Sequence, residues 1–481
     1  MGGANAYTQL RAPVFAAASI IIYILIGATA CVPALPGQCD SCSYVAALIQ
    51  NPVATADSPT TTPTAASQGT ACSLNAGTGT ISDSESGFEI TSAASGGPDG
   101  AIAIVADYDS IYVGGFETVS PGDTAWRVEK RSRVDGALDP AFGTGGVITS
   151  NPSGAVDLIN DLAIDESGIY LVGADRSLGA ANGQWRMEKR DRTTGALIAG
   201  FGVGGVVQSN LVTRDDFPNG VAIDASGLYA VGFREVSPGQ KEWRIEKRDL
   251  TTGNLIPAFN GGGFIDAPAG AGTQTQARSL ALDASFMYVV GVSLAGNNQW
   301  RIEKRNLSDG ALVTAFDGDG VLDSNPGPTS DEGLSIQVDA NFVYTSGTDQ
   351  TGAGQFRIEK RDITTGVLDT AFDTDGILEI NPSPTGDRIQ ALALDTNNIY
   401  FAGFDNVAVD AQINLSKYTK AAGTAVTAFD GDGSLQINPT AGNDQFNDLC
   451  VDSSFVYAIG DTGTGPAQDW YILKRNRTTG L

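Results

Sequence analysis

One pattern of apolar and polar positions recurs along this chain. An apolar alternation ending in Asp is followed by an apolar run ending in Gly. Next comes an aromatic-led stretch in which basic and apolar residues alternate, and then a short apolar stretch between polar residues. The third segment aligns most easily: WRVEKR from Trp126, WRMEKR from Trp185, WRIEKR from Trp243 and again from Trp300, and FRIEKR from Phe356 stand at intervals of 59, 58, 57 and 56 residues. INLSKY from Ile413 and WYILKR from Trp470 follow, each 57 residues on. In the second copy the four segments are Leu162 to Asp165, Ile169 to Gly173, Trp185 to Arg190 and Gly205 to Asn210. Period-two alternation marks a half-buried strand, and the Gly, Asp, Asn and Thr clusters between segments supply the turns. Four short strands per repeat, with a glycine and aromatic signature, predict propeller blades rather than a helical solenoid.

The two ends of the sequence agree with a ring of seven such blades. The chain stops at Arg475 to Leu481, after the third strand of the seventh copy, whereas Gly87 to Ser92 (GFEITS) matches a fourth strand and precedes the first copy. The N-terminal segment is therefore expected to complete the last blade and close the ring, which removes the open strand edges. The expected fold is all-β, a seven-bladed β-propeller of four-stranded blades over residues 79–481. Residues 1–30 read as an export segment and residues 31–78 as a Cys-containing tether.

Composition narrows the function. The chain has 29 Lys and Arg against 55 Asp and Glu, a formal charge of -26, which repels a phosphate backbone and argues against nucleic acid as a partner. It attracts cations such as Ca²⁺, and it equally serves to keep an exported protein dispersed. There is no histidine, which removes imidazole zinc sites and every mechanism that needs a His base.

Ala12 to Ala30 is an apolar run interrupted by Ser19, Gly27 and Thr29 and preceded by Arg11, the pattern of an export signal. Ala28-Thr29-Ala30-Cys31 resembles a bacterial lipobox without its usual Leu, in which Cys31 would be lipidated. The same residues fit an A-x-A cleavage site, and an uncleaved run of this length just spans a bilayer. All three readings place the bulk of the chain outside the cell, secreted or anchored to the membrane only at its N-terminus. Cys39, Cys42 and Cys72 are expected in disulfides, since no His or second CxxC accompanies them to build a metal site. Cys450, inside an apolar strand, reads as a free core thiol. Asn51 to Ala71, rich in Thr, Pro, Ser and Ala, reads as an extended spacer.

Ala137-Leu-Asp-Pro-Ala-Phe-Gly-Thr-Gly-Gly-Val147 resembles the signature of the bacterial delta-60 repeat. Ala391 to Asp395 with Ile399 to Phe404 is similar to NHL-type propeller strands. The resemblance implies a propeller in a bacterial surface or secreted context and implies no single activity.

A residue repeated in every blade is explained by what blades share, so a site should use residues that break the repeat. All five tryptophans, Trp126, Trp185, Trp243, Trp300 and Trp470, stand at one repeat position and read as packing anchors. The basic and acidic residues of the third segments take 18 of the 29 Lys and Arg and read as ion-pair ladders on the blade surface. The Asp that ends each first segment, namely Asp107, Asp165, Asp224, Asp283, Asp339, Asp395 and Asp452, reads either as a carboxylate ring for a cation or as a turn cap. Asp317 and Asp319 with Asp323, Asp373 and Asp375 with Glu379, and Asp430 with Asp432 supply the oxygen chemistry that calcium needs. Earlier blades carry GTGG, GVGG and NGGG there and no EF-hand pattern follows, so an ordinary glycine turn is the competing reading. No cofactor is required, and calcium is the one candidate.

On the face where ligands usually sit in propellers, the loops carry Arg214, Asp215, Asp216, Arg278, Asp331, Glu332, Asp387, Arg388 and Asp444 before the first strands. Arg176, Arg234 and Glu235 follow the second strands. The expectation is a binding or scaffolding module for a glycan, peptide or protein partner. The alternatives are a self-assembling surface layer, or a hydrolase or lyase with an acid/base pair among these carboxylates and Arg214 or Arg278 fixing an anionic substrate. No spacing selects a pair, so no catalytic residue is named. A deep pocket with converging, non-repeated polar groups would favour a small ligand, and a flat face a protein.

Overall fold

The computed structural model describes residues 86–481 apart from 268–274, 296, 329, 351–353, 384 and 408–409. The expected export segment, Cys31, the other N-terminal cysteines and the spacer lie outside these. Among the described residues no helix is long and apolar enough to cross a membrane.

Seven four-stranded antiparallel sheets follow one another along the chain. Six are built from four consecutive strands. The seventh takes three strands from the C-terminus and its fourth from Phe88–Ser92, which pairs antiparallel with Asp469–Asn476 in the register Phe88 to Lys474 and Ser92 to Trp470. The closure expected from the two chain ends is therefore present. The first strands, among them Gly100–Ala106, Leu158–Asp165, Asp216–Asp224 and Gln276–Leu282, lie side by side.

The core lies between blades. Tyr170, Trp185 and Phe201 of the second blade pack on Val221, Ile223 and Leu228 of the third, and Tyr457, Trp470 and Ile472 of the seventh pack on Ala101, Ile104 and Ile111 of the first. Each tryptophan is buried and its indole N–H donates to a backbone carbonyl of the next blade: Trp126 to Ala174, Trp185 to Phe233, Trp243 to Val292, Trp300 to Thr348, and across the closure Trp470 to Phe116. A large apolar side chain whose one polar atom finds a partner suits such a seam.

The charges of the third strands are not a surface ladder. Glu129, Glu188, Glu246, Glu303 and Glu359 are fully buried, each between two arginines two residues away on the same strand. Alternation places these three side chains on one strand face, and the neighbouring blade covers that face. Ser92, Ser150 and Ser324 of the preceding blade donate to Glu129, Glu188 and Glu359. The outer arginine also donates to a turn carbonyl, as Arg248 does to Gly253 at 2.8 Å. A buried carboxylate so fully paired serves the joint between blades. Cys450, expected free, is disulfide-bonded, and the chain's other four cysteines all lie outside the described residues. Strand burial hides a thiol and a disulfide alike, so the local sequence does not tell them apart.

Candidate functional site

Every blade carries a β-bulge at one place in its first strand. Pairing with the second strand skips Ile102, Asn160, Asn219, Arg278, Leu334, Gln390 and Asn447. A bulge bends the strand and re-aims the extra residue, and here these seven residues all line the central channel, a cavity of about 260 Å³. Opposite each bulge the second strand carries Gly. A Cβ on Gly173, Gly232 or Gly291 would meet the carbonyl oxygen of Leu158, Phe217 or Gln276 at 2.1 Å, which accounts for the Gly that ends each second segment.

The bulges also tie neighbouring blades together around the channel. The amides of Asn160, Asn219 and Asn447 donate to the carbonyls of Pro218, Ala277 and Ala101 in the next blade. One residue further on, Asp161 accepts from Val221 N–H at 2.7 Å and Asp448 from Ile104 N–H at 2.9 Å, again in the next blade. Asp161 and Asp448 are partly buried and have no ion-pair partner among the described residues. Burial pushes the Asp161 carboxyl up to about 8, with the Asp448 charge adding to it, and burial pushes Asp448 up to about 7. From other blades Arg278 and Arg388 enter the same channel and share one carboxylate oxygen of Glu332, at 3.2 and 3.4 Å.

A groove of about 380 Å³ opens beside the channel across the second, third and fourth blades. It is lined by Phe217 and Phe233, packed edge to face at 5.5 Å between centroids. The Arg176 guanidinium sits 4.9 Å from the Phe217 ring and the Lys241 ammonium 3.9 Å from the Phe233 ring, cation–π geometries. Arg176 also pairs with Asp215 at 2.9 Å. Burial, and then the nearby Arg278 charge, pull the Lys241 ammonium down. Asn160, Asn219 and Arg278 line both groove and channel, so the two are continuous.

The residues singled out from the sequence therefore separate into groups. Asp215 and Arg278 line the groove together with Arg176 and Glu235, and Arg278, Arg388 and Glu332 meet at the channel. Arg234 turns to Glu242 and Asp266 of its own blade, and Arg214 is half-buried and outside both cavities. Asp216, Asp331, Asp387 and Asp444 are buried and hold the loops. Each accepts from a backbone N–H four residues earlier and from another nineteen residues later, as Asp216 does from Val212 and Glu235. Asp99 and Asp157 do the same in the first two blades. Burial raises Asp216 to about 6 despite these donors. The sequence reading passed over Phe217, Phe233, Lys241, Asn160, Asn219, Asp161 and Asp448.

The carboxylates that end the first strands cap turns. Asp107 accepts from Asp109 and Ser110 N–H and from the Tyr112 hydroxyl, and Asp283, Asp339 and Asp395 repeat the arrangement. Asp317, Asp373 and Asp430 hold left-handed backbone positions, with φ of 48°, 42° and 50°, where earlier blades have Gly143, Gly202 and Asn260. Asp319, Asp375 and Asp432 each accept from the backbone two residues on. Asp323 accepts from Ser293 and Glu379 pairs with Arg357. Among the described residues no three carboxylate, thiol or imidazole side chains gather as a metal shell.

No protein-family model and no curated protein matches the sequence. Among solved structures, the β-propeller domain of the Trilobed protease from Pyrococcus furiosus is similar at 9% identity over 79% of this chain and 95% of that one, with a TM-score of 0.42. Chaetomium thermophilum Sqt1 is similar at 12% identity over 79% of this chain and 95% of that one, with a TM-score of 0.42. Pyrococcus horikoshii acylaminoacyl peptidase is similar at 9% identity over 79% of this chain and 52% of that one, with a TM-score of 0.40, so the chain spans about half the length of that enzyme. Likenesses at these values say nothing of activity. The propeller assignment rests on the strand order and the closure.

Proposed function

We propose that this chain is an exported propeller, tethered at a bacterial cell surface or secreted, that acts as a binding module and takes a glycan, peptide or protein partner in the groove of the second to fourth blades. The observation that carries this reading is the aromatic pair Phe217 and Phe233 with a cation against each ring, flanked by Asp215, Glu235 and Arg278. An apolar floor with a few placed polar groups is what a binding pocket needs, and Phe233 alone of these residues has counterparts in other blades, Phe116 and Phe404. The apolar run before Cys31 supports export, and the delta-60 resemblance of Ala137 to Val147 supports the bacterial surface setting. The test is a glycan and peptide array probed with the full chain, followed by titration of the hits with Lys241→Ala and Phe217→Ala. Both variants are expected to weaken the partner at least about ten-fold, the loss of one well-packed contact. Hits that bind both variants as they bind the parent would overturn the groove as the site.

A further inference from the structure

The channel is charged on two different sides in a way that the joint between blades does not require. Asn160, Asn219 and Asn447 already tie the first strands together, and Ala103, Gly220, Ser279, Ser335 and Ala391 occupy the place of Asp161 and Asp448 in the other five blades. Ser335 supplies the same bond to the next blade without a charge, accepting from Leu392 N–H at 3.1 Å. Only the second and seventh blades, which flank the first, place a carboxylate there. Even partial burial of a carboxylate without a counter-ion is costly. On the fourth and sixth blades, which flank the fifth, Arg278 and Arg388 bring two positive charges against the single carboxylate of Glu332. The Arg278 Nε is shut away from solvent and has no hydrogen-bond partner among the described residues. One side of the cavity thus lacks a cation and the other holds an unmatched guanidinium, with neutral Asn160, Asn219, Ser279 and Gln390 between them.

We propose that the channel binds a small zwitterion, a free amino acid or a dipeptide, with its carboxylate against Arg278 and Arg388 and its ammonium against Asp161 and Asp448. The cavity of about 260 Å³ has room for a molecule of that size. The site adjoins the groove at Arg278, while Asp161, Asp448 and Arg388 line the channel alone. Guanidinium recognises carboxylate through paired N–H donors, and an ammonium supplies the charge the aspartates lack.

The test is calorimetric titration of the full chain with glycine, 4-aminobutyrate and diglycine, against acetate, methylammonium and the neutral N-acetylglycinamide. At least one zwitterion is expected to bind at least ten-fold more tightly than either single ion, with the neutral amide inert. Arg388→Ala is expected to lower that affinity at least ten-fold. Asp448→Asn keeps the acceptor for Ile104 N–H, and it should reduce zwitterion affinity to the level of acetate. The parent panel needs no variant to fold. Acetate binding as well as the best zwitterion would reduce the site to an anion pocket and overturn the proposal, and so would absence of heat with all three zwitterions. Loss of zwitterion binding in Arg388→Ala with array hits on the groove retained separates this site from the proposed function above.

Discussion

At the scale of single residues, the two channel aspartates set a dependence on pH that has a definite sign. The folded-state carboxyls lie at about 8 for Asp161 and about 7 for Asp448, above their ordinary 3.8, first because burial penalises the charged form. The folded chain therefore holds these protons more tightly than the unfolded chain does. What the pair contributes is fully present below about pH 3.8 and is lost as pH rises through 7 and 8. Arg278 and Arg388 share the cavity, and Glu332 draws on both of them, so they leave the pair only partly compensated. Asn at both positions keeps an acceptor for Val221 and Ile104 N–H and removes the ionisation. The double variant Asp161→Asn with Asp448→Asn is expected to show its smallest gain over the parent near pH 4 and to melt several degrees above it at pH 9. Thermal melts of both proteins across that range check this, and a variant that gains nothing at pH 9 would show the pair to be compensated in solution.

At the scale of the element, the bulge in each first strand explains both a glycine and the limits of reading this site from sequence. The second strand crosses so close to the bulge that Gly232→Ala would press a methyl into the Phe217 carbonyl, 2.1 Å away. Overpacking against backbone cannot relax by a rotamer change, so a loss of about 3 kcal/mol or more is expected. Gly154, with nothing within 4 Å of its Cβ position, should accept Ala within about 0.5 kcal/mol. Urea denaturation of the two variants measures the contrast. The same bulge breaks the period-two alternation, so the legible part of the second blade's first strand begins at Leu162 and stops short of Asn160 and Asp161. Their repeat-breaking character shows only when the seven strands are aligned three or four residues further back. Asp216, Asp331, Asp387 and Asp444 mislead in the opposite direction. Their neighbours vary, yet each stands eight residues before the Asp that ends its strand, as Asp99 and Asp157 do, and that spacing marks a shared loop clamp. Arg278 broke the repeat visibly and does reach both cavities. Phe217 and Phe233 had no signal of their own, because two aromatics sixteen residues apart meet only through strand pairing.

At the scale of the whole molecule, most of the fold was legible because a ring of repeats writes its architecture seven times. Both the blade count and the closing strand follow from aligning WRVEKR with its copies. The burial of the Arg-Glu-Arg triads did not follow, because a strand seen alone cannot show that the next blade covers its charged face. Closure is also where strands from the two ends of the chain meet in one blade. Phe88–Ser92 is joined to Asp469–Asn476 by strand pairing, whereas Val147–Ser150 is the fourth strand of a blade whose other three strands precede it directly. Ile90 faces Ile472 across the first pair and Ile148 faces Val128 across the second, so they occupy the same place in their blades. Proline at either position removes a ladder N–H and costs comparable local stability. Only Ile90→Pro unpairs a strand that does not follow directly on the other strands of its blade, baring the edge of Asp469–Asn476 and the apolar seam between the seventh and first blades that Phe88 and Ile90 cover. An unpaired edge beside apolar surface recruits other chains. Ile90→Pro is therefore expected to form concentration-dependent oligomers in analytical ultracentrifugation and to expose this seam to proteolysis, while Ile148→Pro melts earlier but sediments as the parent does. If the two variants sediment alike, the N-terminal strand contributes no more than any other outer strand, and the seam between first and seventh blades is held by Trp470, Tyr457 and their neighbours without it.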